Sequence, residues 1–221
     1  VVAIDTRDGR VTGVRTDRGT VECEVVVDAA GAHAAEVARL VGVRVPVVPM
    51  SHQYLVTEAL PGAPPTVATA TGLPTLRDTD LLVYWRPEGP GLVMGGYERN
   101  PEAWRTTATS YDDIPADFNG RLLPESWERF EEIAANAARR VPVMGDVGIR
   151  SFVNGPEAFT PDNEFCLGET EVAGFVCAAG FGAHGIAGAG GIGQVMADGV
   201  LDGRPGMDLW HMDISRFGPA Y

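Results

Sequence analysis

The residues best suited to chemistry lie where an apolar strand, Phe175 to Ala179, breaks at Gly180 and passes through Phe181-Gly182-Ala183-His184-Gly185 into a segment of helical period. A strand, a glycine turn and a helix N-terminus together form a site for an anionic or electron-rich cofactor group, because unpaired N–H groups and the helix dipole converge there. Ile186, Ala189, Gly193, Met196, Ala197 and Val200 share one helix face, and Gly203 with Pro205 ends the segment. Gly188, Gly190, Gly191, Gly193 and Gly199 lie inside it, each costing roughly 0.5–1 kcal/mol relative to Ala. A helix that keeps five of them is expected to bring its backbone close to something else, either a ligand or simply the sheet beneath it. A second group of candidates comes from alternation. Between Val47 and Thr57 the period is two, so Val48, Met50, His52, Tyr54 and Val56 share a face. From Leu81 to Arg86, Leu82, Tyr84 and Arg86 share another. A His and a Tyr among Met and Val suit the lining of an apolar pocket. A core His bonded to a backbone carbonyl suits the same pattern, and on the residues alone that plainer reading has the edge.

The elements that must position these residues read as follows. Val2-Ala3-Ile4, Arg10 to Thr16 and Val21 to Glu24 form a β-meander with turns at Asp8-Gly9 and Arg18-Gly19. Val25 to Gly31 is a continuous apolar run ending in small residues, as in a parallel strand covered on both faces, and Ala30-Gly31-Ala32 leaves room for a ligand at its C-terminal end. A helix runs from His33 to Val41. Residues 60–80 read as loops with short strand pieces, Pro87 to Gly91 as a hairpin turn, and 97–122 as polar and irregular. A helix opens at Pro124 with an apolar stripe of Trp127, Phe130, Ala134, Ala137 and Val141. A strand from Asp146 to Val153 then turns at Asn154-Gly155-Pro156-Glu157. The order predicts a mixed α/β fold. Residues 1–45 and 151–221 belong to a doubly wound cofactor domain, and residues 46–150 form an antiparallel-sheet substrate domain inserted in it.

Bulk properties narrow the function. The 221 residues carry a net charge of −13, which disfavours nucleic acid and anionic membrane surfaces as partners. All seventeen basic residues are Arg, so no lysine is present for Schiff-base or nucleophilic chemistry. Cys23, Cys166 and Cys177 have no metal-like spacing, no metal site is expected, and a reducing compartment is expected. Phe175 to Ala197 lacks charge but holds too few large apolar side chains for a membrane span. The chain opens within a strand pattern, as expected of part of a longer polypeptide.

Several motifs in order carry a resemblance: Val26-Val27-Asp28-Ala29-Ala30-Gly31-Ala32, Val45-Pro46, His52-Gln53-Tyr54-Leu55-Val56-Thr57, Asn154-Gly155-Pro156-Glu157 with Phe159-Thr160-Pro161-Asp162, Leu167-Gly168, and Asp208-Leu209-Trp210-His211-Met212-Asp213-Ile214 with Arg216-Phe217. The chain resembles the flavin-dependent amine oxidoreductases of the D-amino-acid-oxidase superfamily, in the dimethylglycine and sarcosine dehydrogenase branch. That family's GxGxxG segment and the folate domain that commonly follows are absent from these residues. The resemblance implies FAD as cofactor and a small amine as substrate. It implies oxidation of an N-methyl group on a glycine derivative, with the one-carbon unit passing to tetrahydrofolate in a separate domain.

The resemblance also implies roles: His52 in acid/base or electrostatic duty, Tyr84 placing the substrate, Arg86 pairing its carboxylate. Ala30 and Gly31 would lie near the adenosine half of FAD, and Gly182, His184, Gly185 and Ile186 at the isoalloxazine end. Related oxidases use a Lys near the flavin, so a chain without Lys is expected to be a dehydrogenase passing electrons to another carrier. The implied setting is the cytoplasm, or the mitochondrial matrix in a eukaryote. The same architecture also serves a non-catalytic regulatory subunit of a mitochondrial phosphatase, and these residues alone are expected to be inactive.

Overall fold

The structure is a computed structural model and describes residues 1–62, 74–105 and 114–218. Parts of two expected loop regions, 63–73 and 106–113, lie outside the described residues. In chain order the strands and helices are β1 (Ala3–Arg7), β2 (Arg10–Thr16), β3 (Gly19–Glu22), β4 (Val26–Asp28), α1 (Ala34–Arg39), β5 (Val48–Thr57), β6 (Leu76–Asp78), β7 (Val83–Glu88), β8 (Gly91–Gly96), β9 (Glu102–Ala103), α2 (Trp127–Arg140), β10 (Ile149–Phe159), β11 (Cys166–Glu169), β12 (Phe175–Ala179) and α3 (Gly185–Asp202). The fold is mixed α/β. It divides into one compact unit of Val1–Met50, Ala103–Ala116 and Glu157–Tyr221, and a second of Ser51–Glu102 and Asp117–Pro156.

In the first unit β12 is the middle strand of a three-stranded sheet, antiparallel to β11 and parallel to β4. All five of its residues are buried, and Phe175, Cys177 and Ala179 are fully so. Small residues are required because one face packs on Ala34, Ala38, Val43, Val45 and Val47, while the other packs on Met196 and Ile192 of α3. Left-handed glycines bracket the strand. Gly174 (φ 79°) has no room for a Cβ, which would overlap the Glu24 carbonyl, and Gly180 (φ 71°) lies against Thr160. The meander β1–β2–β3 turns at Asp8-Gly9, both at positive φ. Arg216 closes the unit. Its guanidinium forks onto Asp162 at 2.7 and 2.9 Å and donates to the Phe165 carbonyl, so the Phe-Thr-Pro-Asp and Arg-Phe motifs form one structural clasp. The charge-assisted fork holds the Asp162 carboxyl well below the usual carboxylate range.

Two expectations here are revised. Strand β4 is not covered on both faces among the described residues: Val27 is 45% exposed and faces an open apolar groove between β4 and α3, and Val25 just before the strand is 38% exposed. The glycines of α3 are not held against the sheet either. A Cβ at Gly190, Gly191 or Gly193 would meet no atom within 4 Å.

The second unit sets β8 between β5 and β7, all antiparallel, with β6 beyond β7 and β10 beside β5. Leu55, Val83, Trp85, Leu92 and Met94 point to one side and bury Phe130, Ile133 and Ala137 of α2 together with Phe152. The helix stripe therefore uses Ile133 where Trp127 was expected. Trp127 is 47% exposed, its ring 4.3 Å from Phe152 at the rim and its indole N–H donating to Glu125. The turn expected at Asn154–Glu157 is continuous strand: β10 is an edge strand, where Pro156 breaks no ladder on its outer side. Asn154 is instead a buried anchor, donating to the Pro124 carbonyl at 2.6 Å and accepting from Ser51 Oγ at 2.8 Å. Arg129 extends that network, donating to Ser51 Oγ (2.6 Å) and Glu98 (3.0 Å), and Gln53 links Glu98 to the backbone N–H of Ser126. Among the described residues no helix is long and apolar enough to cross a membrane.

The glycines therefore divide into two kinds. Gly180→Ala should destabilise the protein by several kcal/mol, since it adds both a left-handed strain and an overlap with Thr160. Gly190→Ala should stabilise it by about 0.5–1 kcal/mol, the ordinary helix preference. Denaturant unfolding of both variants checks the contrast.

Candidate functional site

In the second unit the candidate residues collect on the sheet face opposite α2. The two-residue turn Gly89-Pro90 pairs Glu88 with Gly91 and so places Tyr84 opposite Gly95; Tyr54 is opposite Gly95 on the other side, and Arg77 opposite Tyr84. Alternation then puts Arg77, Tyr84, Arg86, Gly95, Tyr54 and His52 on one face. Gly95 matters here for its missing side chain. A Cβ there would stand 2.5 Å from Tyr84 Cζ and 3.0 Å from Tyr54 Cβ, so the Tyr84 ring lies flat across β8 with its hydroxyl over the glycine. Tyr97, one residue beyond β8, donates its backbone N–H to the Leu82 carbonyl and sets its ring between the two expected residues: 5.6 Å from the His52 ring and 5.9 Å from that of Tyr84.

Burial pushes the His52 imidazole down to about 4, so it is neutral at pH 7. Arg86 points elsewhere. It bonds Glu88 and the Pro87 carbonyl at the hairpin, and its side chain is half exposed. Arg77, which the pattern reading passed over, lies with its guanidinium carbon 5.0 Å from the Tyr97 ring centroid. The sequence pattern does not single out Tyr97, which falls in a stretch that reads as irregular; the turn length that fixes the β7–β8 register is the signal that places it.

In the first unit the other candidates surround the junction of β12 and α3. A groove of about 620 Å³, almost wholly apolar, is lined by Val27, Gly31, Ala178, Phe181 and Gly185 and by a mixture of small and larger apolar residues of α3, Ile192 and Met196 among them. Gly31 (φ 60°) leaves the strand in a left-handed turn with open space where a Cβ would be. Gly182 (φ 55°) sits against the Phe159 ring, and His184 and Ile186 are exposed, Ile186 at 99%. The structure thus brings Gly31 and Gly185 to one groove; Gly182, His184 and Ile186 belong to the helix entry beside it. Ala30 donates its N–H to Asp28 Oδ1 at 3.2 Å, while Asp28 Oδ2, buried, has no hydrogen-bond partner among the described residues. Burial raises the Asp28 carboxyl to about 6. The thiols of Cys166 and Cys177 are pushed up by burial, Cys166 to about 11, so neither is a nucleophile. Among the described residues no three His, Cys, Asp or Glu side chains are placed to hold a metal ion.

In the first unit a strand, a glycine turn, a helix N-terminus and an apolar groove come together, an arrangement suited to an electron-rich cofactor group. The family model for FAD dependent oxidoreductases matches residues 1–199, and the chain belongs to that family. It is 40% identical over 209 residues to sarcosine dehydrogenase, mitochondrial, of Homo sapiens, and 33% identical over 219 residues to dimethylglycine dehydrogenase, mitochondrial, of Rattus norvegicus. These alignments cover 94% and 99% of the chain but only 21% and 25% of those relatives. The fold is that of L-proline dehydrogenase from P. horikoshii, with a TM-score of 0.77 at 21% identity over 99% of this chain and 53% of that one.

Asp28 carries a pH-dependent cost. With its carboxyl raised to about 6 in the fold, stability is fully present below about 4 and is lost as pH rises through 6. Asp28→Asn should therefore stabilise the protein by about 1–3 kcal/mol at pH 8 and make little difference at pH 4. Unfolding curves at the two pH values check this; an equal effect at both overturns it.

Proposed function

We propose that the protein to which this chain belongs oxidatively demethylates an N-methylated glycine derivative such as sarcosine or dimethylglycine. The observation that carries this reading is the convergence of His52 and Tyr84 on Tyr97, with His52 held neutral by burial. A neutral imidazole beside an amine accepts a hydrogen bond without repelling the cationic form of that amine. The Tyr84 hydroxyl, laid over Gly95, offers a fixed polar contact for the substrate. Loss of a hydride from the N-methyl carbon of the free amine leaves a C=N iminium. Water then adds to release the one-carbon unit as formaldehyde, unless tetrahydrofolate in a separate domain takes it.

The residues of the first unit fit a flavin. Gly31 and Gly185 leave open space along the groove, Phe181 and Met196 supply apolar surface, and the N–H groups opening α3 suit an electron-rich edge. When bound, FAD supplies the two-electron acceptor for the hydride. With no lysine in the chain, transfer onward to a protein or quinone carrier is favoured over direct reaction with oxygen.

Anaerobic addition of sarcosine or dimethylglycine to the full-length flavoprotein should bleach its flavin absorbance, and Tyr84→Phe or His52→Ala should slow bleaching by about 10–100-fold. Failure of every secondary and tertiary amine to bleach the wild-type protein would overturn the reading in favour of a non-catalytic regulatory relative. Gly185→Val tests the cofactor assignment separately. A Cβ at Gly185 meets only Phe181 Cβ, at an ordinary 3.6 Å, so the fold should tolerate the change while flavin content falls several-fold. Unchanged flavin-to-protein absorbance would remove Gly185 from the site.

A further inference from the structure

We infer that Arg77, seated on Tyr97, is the residue that binds the substrate's carboxylate, an assignment that rests on the demethylation reading above. Two arginines of β6 and β7 share the face that carries His52 and Tyr84, and the structure separates them. Arg86 is already committed to Glu88 and the Pro87 carbonyl. Arg77 pairs with no carboxylate among the described residues; its guanidinium lies on the Tyr97 ring, 5.0 Å from the centroid. The neighbouring acid does not compete for it, because Asp78 points to the other face and bonds Arg140 and the backbone N–H groups of Asp80 and Leu81.

The cross-strand register makes Arg77 the direct partner of Tyr84, and Tyr97 touches the rings of both Tyr84 and His52. One ring therefore locates three groups: a neutral imidazole, a phenol and a guanidinium. A glycine derivative carries its amine and its carboxylate one carbon apart, and a guanidinium held over an aromatic face by the ring's π-cloud keeps N–H donors at its edge for a bidentate carboxylate. The stack also restrains a long side chain that would otherwise lose rotamer freedom on binding. Tyr97 is accordingly a positioning residue for Arg77.

The test compares wild-type, Arg77→Gln, Arg86→Gln, Tyr97→Phe and Tyr97→Leu forms of the full-length flavoprotein, using dimethylglycine and its uncharged counterpart N,N-dimethylglycinamide. Calorimetry should show Arg77→Gln weakening dimethylglycine binding about 10–100-fold, the usual worth of a charge-assisted pair. Amide binding should stay within about twofold. Tyr97→Phe should keep the affinity and Tyr97→Leu should lose much of it. Equal dimethylglycine affinity in wild type and Arg77→Gln, loss of acid and amide binding together, or a loss shown by Arg86→Gln instead, overturns the assignment. A wild-type protein that binds dimethylglycine through Arg77 but is not bleached by it leaves the carboxylate site standing and sinks only the demethylation reading.

Discussion

The first unit depends on one strand being buried on both faces and paired on both edges. β12 leaves no direction in which a side chain can reach water, so it is written in small and apolar residues, and the chain must enter and leave it at sharp left-handed turns. Gly174 and Gly180 provide those turns and also lack the Cβ that would strike Glu24 and Thr160. Because Gly180 ends the strand abruptly, Gly182 to His184 fold into a short turn of 3-10 helix and α3 begins at once with no side chain capping it. The packing of β12 thus determines where an open helix N-terminus stands, and the groove of Gly31 and Gly185 follows from it.

The second unit makes a different use of a glycine. Its sheet buries one face on α2, and that face is closed by aromatic packing among Phe130, Phe152 and Trp127 and by the polar network of Ser51, Gln53, Glu98, Arg129 and Asn154. Such a network is costly to bury unless each member is bonded, and it fixes the N-terminal end of α2 against β5 and β10. With that side rigid, the opposite face can hold Tyr84 flat over Gly95 and Tyr97 between His52 and Arg77. A side chain at Gly95 would lift the phenol off the sheet and separate the group.

Burial acts in opposite senses on His52 and Asp28. His52 is held neutral by burial, so its contribution to stability is present above about 6.5 and is lost as pH falls towards 4. Asp28 is disfavoured by burial in the opposite sense. Each is a group whose charged form the interior resists. Arg216 and Asp162 show the contrasting case, a charged fork whose bonds are satisfied and whose role is to tie the C-terminal segment to the loop before β11.

The sequence by itself determined the elements with local signatures. The Asp8-Gly9 and Gly89 turns, the alternation through His52 and Tyr84, and the run from β12 through Gly180 into α3 ending at Gly203 are all set by short-range backbone preference and by period. The motif resemblance to flavin-dependent amine oxidoreductases was likewise legible, because it is carried by residues and not by contacts. What tertiary structure alone decided is which neighbours those residues meet. Alternation placed Tyr84 and Arg86 on one face alike, but only the hairpin register and the position of Glu88 turn Arg86 away and bring Arg77 to Tyr97. Helical period placed Trp127 on the apolar stripe of α2, but tertiary packing leaves it at the rim against Phe152 and buries Ile133 in the core instead. Asn154-Gly155-Pro156 reads locally as a turn; an edge-strand position and two buried hydrogen bonds keep it extended. Long-range pairing outweighs local preference at these positions because each such contact removes apolar surface or a polar group from water, which is worth more than the few tenths of a kcal/mol by which one backbone conformation is preferred to another.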